Sequence, residues 1–100
     1  MQYSGQQIVL RIKGHVKKRG GVYGSWFVGI CKDARGRLFK SHGVHKKGDC
    51  WIYVHAESPR VAHKVKSYFV KTLGAAGRKG GLAEDEDFVY AYRKSAHTKP

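Results

Sequence analysis

From Ser58 to Leu73 the chain reads SPRVAHKVKSYFVKTL, a stretch with a helix marked at both ends. Ser58 is an N-cap residue type, and Pro59 falls at the first helical position, where a missing N–H costs nothing. Gly74 follows Leu73 and supplies the left-handed residue on which helices commonly stop. Between these marks Val61, Ala62, Val65, Tyr68, Phe69, Thr72 and Leu73 recur at helical spacing on one side. Arg60, His63, Lys64, Ser67 and Lys71 occupy the other, so one face packs and the other meets water. Lys66 stands at the edge of the apolar stripe.

The remaining segments supply partners for that face. Ser4 and Gln7 have the spacing of a capping box, and Ile8, Val9, Ile12 and Val16 follow on one helical face, with Leu10 off the stripe. Gly14 weakens this helix by about 1 kcal/mol relative to alanine, and Arg19-Gly20-Gly21 ends it. Ser25 to Cys31 is short, aromatic and β-branched, and reads as a strand. Asp33 then caps a helix running through His42, with Ala34, Leu38 and Phe39 inward and Arg35, Arg37 and Lys40 at the surface. Residues 43–49 form a basic loop. Cys50 to Ala56 alternates Trp51, Tyr53 and His55 against Ile52 and Val54, a strand whose faces have different neighbours. After Gly74 a glycine-rich basic stretch passes into the acidic run 84–87, a loop, and Phe88 to Tyr92 closes the pattern as a third strand. Residues 94–100 read as a frayed basic tail. The expected architecture is a single small α/β (α+β) domain over residues 1–100, a three-stranded sheet packed with about three helices in the order α-β-α-β-α-β.

Lys and Arg number 20 against 7 Asp and Glu, a formal charge of +13 spread along the chain rather than confined to a tail. Such an excess makes the monomer repel itself, and a polyanionic partner is its simplest explanation. Nucleic acid, DNA or RNA, leads and an anionic membrane surface is second on charge alone; an acidic protein is a further candidate partner. No apolar run approaches the roughly 20 residues that a membrane-spanning helix needs, and no membrane partner is expected. The first residues lack the apolar core of a secretion signal, and Cys31 and Cys50 lie at the edges of separate strand-like runs, which favours free thiols in a reducing cytoplasm.

The segment from Trp26 to His42, WFVGICKDARGRLFKSH, resembles the second half of the GIY-YIG nuclease motif, in which a strand ending Tyr-(Ile/Val)-Gly leads into a helix bearing an arginine and then a histidine. Phe27-Val28-Gly29 stands where that tripeptide would, Arg37 lies eight residues after Gly29 as the family's arginine does, and His42 lies close to the histidine position. The segment Val65-Lys66-Ser67-Tyr68-Phe69 looks like the family helix that carries a metal-binding glutamate. These two segments lie within residues 26–69 of the 100. The resemblance implies an α/β nuclease fold in which a glutamate holds a divalent metal, a tyrosine activates water and the arginine stabilises phosphate charge. Here Lys66 stands at the glutamate's place, and an ammonium repels Mg²⁺ instead of ligating it. Phe27 lacks the tyrosine's hydroxyl. A Gly21-Val22-Tyr23 sequence occurs, but only two residues separate Tyr23 from Trp26, too few for the hairpin joining the motif's halves.

The expected function is therefore a GIY-YIG-like nucleic-acid-binding domain with impaired catalysis, needing no cofactor. Phosphates would be held by Arg35, Arg37, Lys40, Lys46, Lys47, Lys64, Lys66, Arg78 and Lys79, with Arg37 and Lys66 converging on one anion-attracting surface. Tyr53 and Tyr92 are the candidates for stacking on bases. One alternative is an active endonuclease with a rearranged site using Arg37, His42, Tyr23 or Tyr53 and an acidic residue from elsewhere, with Mg²⁺; another is a basic protein-interaction or inhibitor module. A zinc site from Cys31, His42, His45 and Cys50 has the wrong ligand spacing, so no metal site is expected.

Overall fold

Alternation within the strands decides how the layers form. In β1 (Trp26–Cys31) Trp26 and Val28 belong to one buried cluster, while Phe27 and Cys31 belong to another. β2 (Trp51–His55) divides in the same way, as does β3 (Phe88–Arg93): Val54, Val89 and Ala91 face the first cluster, Tyr90 and Tyr92 the second. A sheet apolar on both faces must be covered on both. The computed structural model, which describes residues 2–77 and 86–99, is an α+β domain that does this with three helices. α1 (Gly5–Lys17) and α3 (Pro59–Ser67) cover one face through Ile8, Ile12, Val16, Ala62 and Val65. α2 (Ala34–Gly36) covers the other, together with its continuation Arg37–Ser41, through Ala34 and Leu38.

The sheet order is β1-β3-β2, antiparallel throughout, so the last strand of the chain is the central one. Both outer edges are partly closed. Ala76 bridges β1, with Val28 N–H donating to the Ala76 carbonyl and Ala76 N–H to the Trp26 carbonyl, each at 2.9 Å. Tyr3 bridges the end of β2, its N–H donating to the His55 carbonyl at 2.9 Å. Edge strands with unpaired backbone invite association, and these bridges occupy part of that backbone.

The helix ends follow the expected chemistry. Ser4 and Gln7 exchange both capping-box bonds, at 2.9 and 3.3 Å, and Ser58 Oγ accepts from Val61 N–H at 3.2 Å. Leu10 is 63% exposed, as its place off the stripe requires. α2 and α3 do not end as regular helices. Both widen into a final turn closed by bonds spanning five residues, His42 N–H to the Arg37 carbonyl and Leu73 N–H to the Tyr68 carbonyl, which the apolar spacing does not reveal. Gly74, at φ +82°, ends the second of them.

Residues 94–99 differ from the expected frayed tail. Lys94 N–H donates to the Ser25 carbonyl at 2.7 Å, Lys99 N–H donates to the His42 carbonyl at 2.7 Å, and a turn between Ser95 and Thr98 joins the two anchors. The tail runs from Ser25, just before β1, to His42 at the end of the α2 continuation, held by backbone groups whose pairing no side-chain pattern encodes. Among the described residues, no helix is long and apolar enough to cross a membrane.

Candidate functional site

α2 is positioned by Asp33, whose carboxylate accepts from Gly36 N–H at 3.1 Å, and by Leu38, which is fully buried under it. With those residues inward, Arg35 and Lys40 point to solvent, and Arg37 lies half-buried in an open depression of about 550 Å³. Lys32, Lys40 and Ser41 share its lining with two acids, Asp33 and Glu86. At its base Cys31 is buried, and burial pushes its thiol up to about 12 although the Arg37 guanidinium opposes the shift. A thiol held protonated is no nucleophile. The loop after α2 adds Lys46 and Lys47, both exposed. It is held by Val44, buried in the same cluster, and by Trp51, whose indole donates to the Lys46 carbonyl at 3.0 Å. Five cations thus lie along one segment on the α2 side of the sheet.

The other expected phosphate contacts lie elsewhere. Lys64 and Lys66 belong to α3, on the opposite face of the sheet, and Lys66 does not line the depression around Arg37. Its Cε lies 3.7 Å from the point that a Cβ on Gly77 would occupy. The helices that bear Arg37 and Lys66 thus cover opposite faces of the sheet, while the Lys66 stem reaches the β1 edge beside Gly77. Arg78 and Lys79 lie outside the described residues, as do Glu84 and Asp85.

His42 ends α2 and turns inward, only 2% exposed. Its Nδ1 lies 2.6 Å from the Lys99 carbonyl and its Nε2 lies 2.7 Å from Tyr90 Oη. A carbonyl can only accept, so Nδ1 carries the proton and Nε2 accepts from the Tyr90 hydroxyl. The Tyr92 hydroxyl donates to the same carbonyl at 3.0 Å. Phe27 packs beside all three rings, with centroid distances of 4.8 Å to His42, 5.2 Å to Tyr92 and 6.2 Å to Tyr90. Gly29 pairs with Tyr90 across the strands and leaves room for its ring: a Cβ there would lie 2.5 Å from the hydroxyl oxygen.

This network corrects the expectation that Tyr92 stacks on bases. Tyr92 is fully buried and spends its hydroxyl on the tail, so it presents no face to a base. Tyr53 is half-buried, its ring parallel to Trp51 at 6.0 Å. The candidate catalytic set is likewise dispersed. Tyr23 packs against Phe69 at 6.0 Å on the α1/α3 side, His42 is enclosed on the α2 side, and Arg37 faces the depression. Tyr90 is the residue that reasoning from the motif missed. The alternation of Tyr90 and Tyr92 in FVYAY marks two aromatic side chains on one face, but not the strand beside which they lie.

One cluster of metal-ligating side chains appears among the described residues, and it is not the Cys/His set weighed from spacing. His45, Asp49 and His97 bring one ligand atom each to within 4.8 Å of one another. Compared with protein-family models, with curated proteins and with solved structures, the chain matches none of them.

Proposed function

We propose that this chain is a nucleic-acid-binding domain, GIY-YIG-like in its α2 motif and impaired in catalysis, that grips the phosphate backbone with Arg35, Arg37, Lys40, Lys46 and Lys47. The observation that carries the reading is the placement of these five cations along one ordered segment, in a chain of formal charge +13. Arginine forks and lysine ammonium groups bind phosphate oxygens without a metal. The enclosure of His42 speaks against hydrolysis at this surface, and the motif puts Lys66, a cation, where the family has its metal-binding glutamate.

The reading predicts steep salt dependence. Five phosphate contacts on duplex DNA give a slope of log K against log salt near −4.5, so binding weakens about 500-fold between 50 and 200 mM salt. Fluorescence anisotropy with labelled DNA and RNA measures this directly. Lys46→Ala with Lys47→Ala should flatten the slope by about 1.8, while Lys64→Ala on the opposite face leaves it unchanged. An equal loss from Lys64→Ala, or a slope indifferent to the loop lysines, would refute the assignment. The same reactions with Mg²⁺ test the catalytic arm: cleavage abolished by Arg37→Ala would establish an endonuclease instead. Absence of binding at physiological salt, with a stable acidic protein complex, would establish the interaction module.

A further inference from the structure

We propose that His45, Asp49 and His97 form a binding site for a divalent transition-metal ion of the zinc class, clipping the tail to the loop after α2. Two imidazoles and a carboxylate are the donor set that zinc, cobalt and nickel favour, whereas Mg²⁺ and Ca²⁺ require a shell of oxygens. The three ligand atoms lie within 4.8 Å of one another although His45 and His97 stand far apart in the chain.

Each ligand is held by contacts that do not depend on a metal. His45 N–H donates to Asp49 Oδ2 at 2.7 Å, which closes the loop on itself. The tail is fixed on both sides of His97, through the Ser95–Thr98 turn before and after it and through Lys99 N–H on the His42 carbonyl. Gly43 permits the close approach: at φ +68° its backbone passes so near the tail that a Cβ would lie 3.2 Å from the His97 carbonyl. The two imidazole rings stack at 4.0 Å with planes 11° apart, and His97 Nε2 is hydrogen-bonded to Asp49 Oδ2. A metal ion takes the place of the proton in that bond.

Ligand bonds of 2.0–2.2 Å put tetrahedral donors roughly 3.3 Å apart with the ion in the plane of each imidazole, so at least one of the two stacked rings must swing out of the stack to close around the ion. Both are exposed, and exposed side chains reorient within nanoseconds. Three protein ligands leave the fourth position to water, the arrangement of an open rather than a sealed site. Lys46 and Lys47 lie beside it and disfavour any cation, so the imidazole nitrogens must supply the affinity. The inference stands independently of nucleic-acid binding, because its readout needs none.

The test uses untagged full-length protein stripped with a chelator, titrated calorimetrically with ZnCl₂, NiCl₂ or MgCl₂ and followed by thermal melting. Zinc and nickel should bind one-to-one and raise the Tm by roughly 11–22 °C at a hundredfold excess over Kd; magnesium should do neither. His97→Ala and Asp49→Asn should each weaken zinc binding tenfold or more. Asp49→Asn retains an oxygen to accept from His45 N–H, so its fold is preserved. His63→Ala, on α3, should leave binding unchanged. The proposal is overturned if zinc leaves the Tm where it was, if His97→Ala binds as tightly as the parent, or if His63→Ala removes the binding.

Discussion

Replacing Gly29 with alanine tests the aromatic network at its tightest point. The new Cβ would stand 2.5 Å from Tyr90 Oη, 2.6 Å from Cζ and 2.9 Å from Cε1, so the ring must withdraw by about 1 Å to restore van der Waals contact. Tyr90 cannot do this and keep its hydroxyl on His42 Nε2, now at 2.7 Å. Overpacking in a close-packed core costs roughly 1–3 kcal/mol. Leaving the buried His42 acceptor unsatisfied adds about 1–3 kcal/mol, and a loss near 3 kcal/mol is a conservative sum. For a domain of this size that lowers the Tm by roughly 12–24 °C. Urea unfolding followed by tryptophan fluorescence gives the free energy. The diagnostic measurement is the same substitution in a Tyr90→Val background, where the ring is gone and the β-branched residue suits a central strand. There the alanine should cost less than about 1 kcal/mol. If Gly29→Ala is equally costly in both backgrounds, or costs under about 1 kcal/mol in the parent, the ring is not what excludes a side chain at this position.

Other positions give smaller, separable effects. Gly14 lies inside α1 with nothing within 4 Å of a Cβ placed on it, so Gly14→Ala should stabilise the protein by about 1 kcal/mol in urea unfolding; a loss would mean an unseen contact. His15 packs edge-on against Trp26 with its Nε2 buried and without a hydrogen-bond partner, and burial, with Arg19 and Lys18 nearby, holds its pKa below the usual 6.5. A depressed histidine contributes stability in full above the unfolded value and loses it as pH falls from about 6.5 through the folded pKa. The Tm should therefore drop between pH 7.5 and 5.5, and His15→Gln should flatten the curve in that window; parallel curves would refute the assignment. Ending the chain after Arg93 strips the Lys99 carbonyl from His42 and Tyr92, which should cost roughly 2 kcal/mol and expose the network to amide exchange. An unchanged unfolding midpoint would restore the frayed tail.

The elements were legible because each carries local chemistry. Ser4 with Gln7, Ser58 with Pro59, and Gly74 mark helix ends through bonds spanning a few residues, and those bonds form as expected. Alternation in CWIYVHA and FVYAY distinguishes two faces, and both faces are covered. What periodicity cannot carry is the choice of neighbour. β3 inserts between β1 and β2, and nothing within FVYAY states that Tyr90 will pair with Gly29 rather than lie at an edge. The pairing is fixed by the combined burial of both clusters, a property of the assembled sheet.

The site was less legible for the same reason, sharpened by distance along the chain. The motif placed Arg37 and Lys66 by analogy with a metal centre, and the helices that bear them cover opposite faces. The histidines illustrate the limit from the other side. His42 and His45 lie three residues apart and invite a shared role, yet one is sealed against Tyr90 and the other meets Asp49 and His97 at the surface. The strap of residues 94–99 separates them: its Lys99 carbonyl closes the buried histidine, while its His97 completes the exposed cluster. A polar, glycine-poor tail of this composition has no periodic signal, because its order comes from acceptors and donors on residues more than forty positions earlier. One strap thus touches both places, with its Lys99 carbonyl at His42 and its His97 beside His45 and Asp49, so neither arrangement can be read from the segment that carries the first histidine alone.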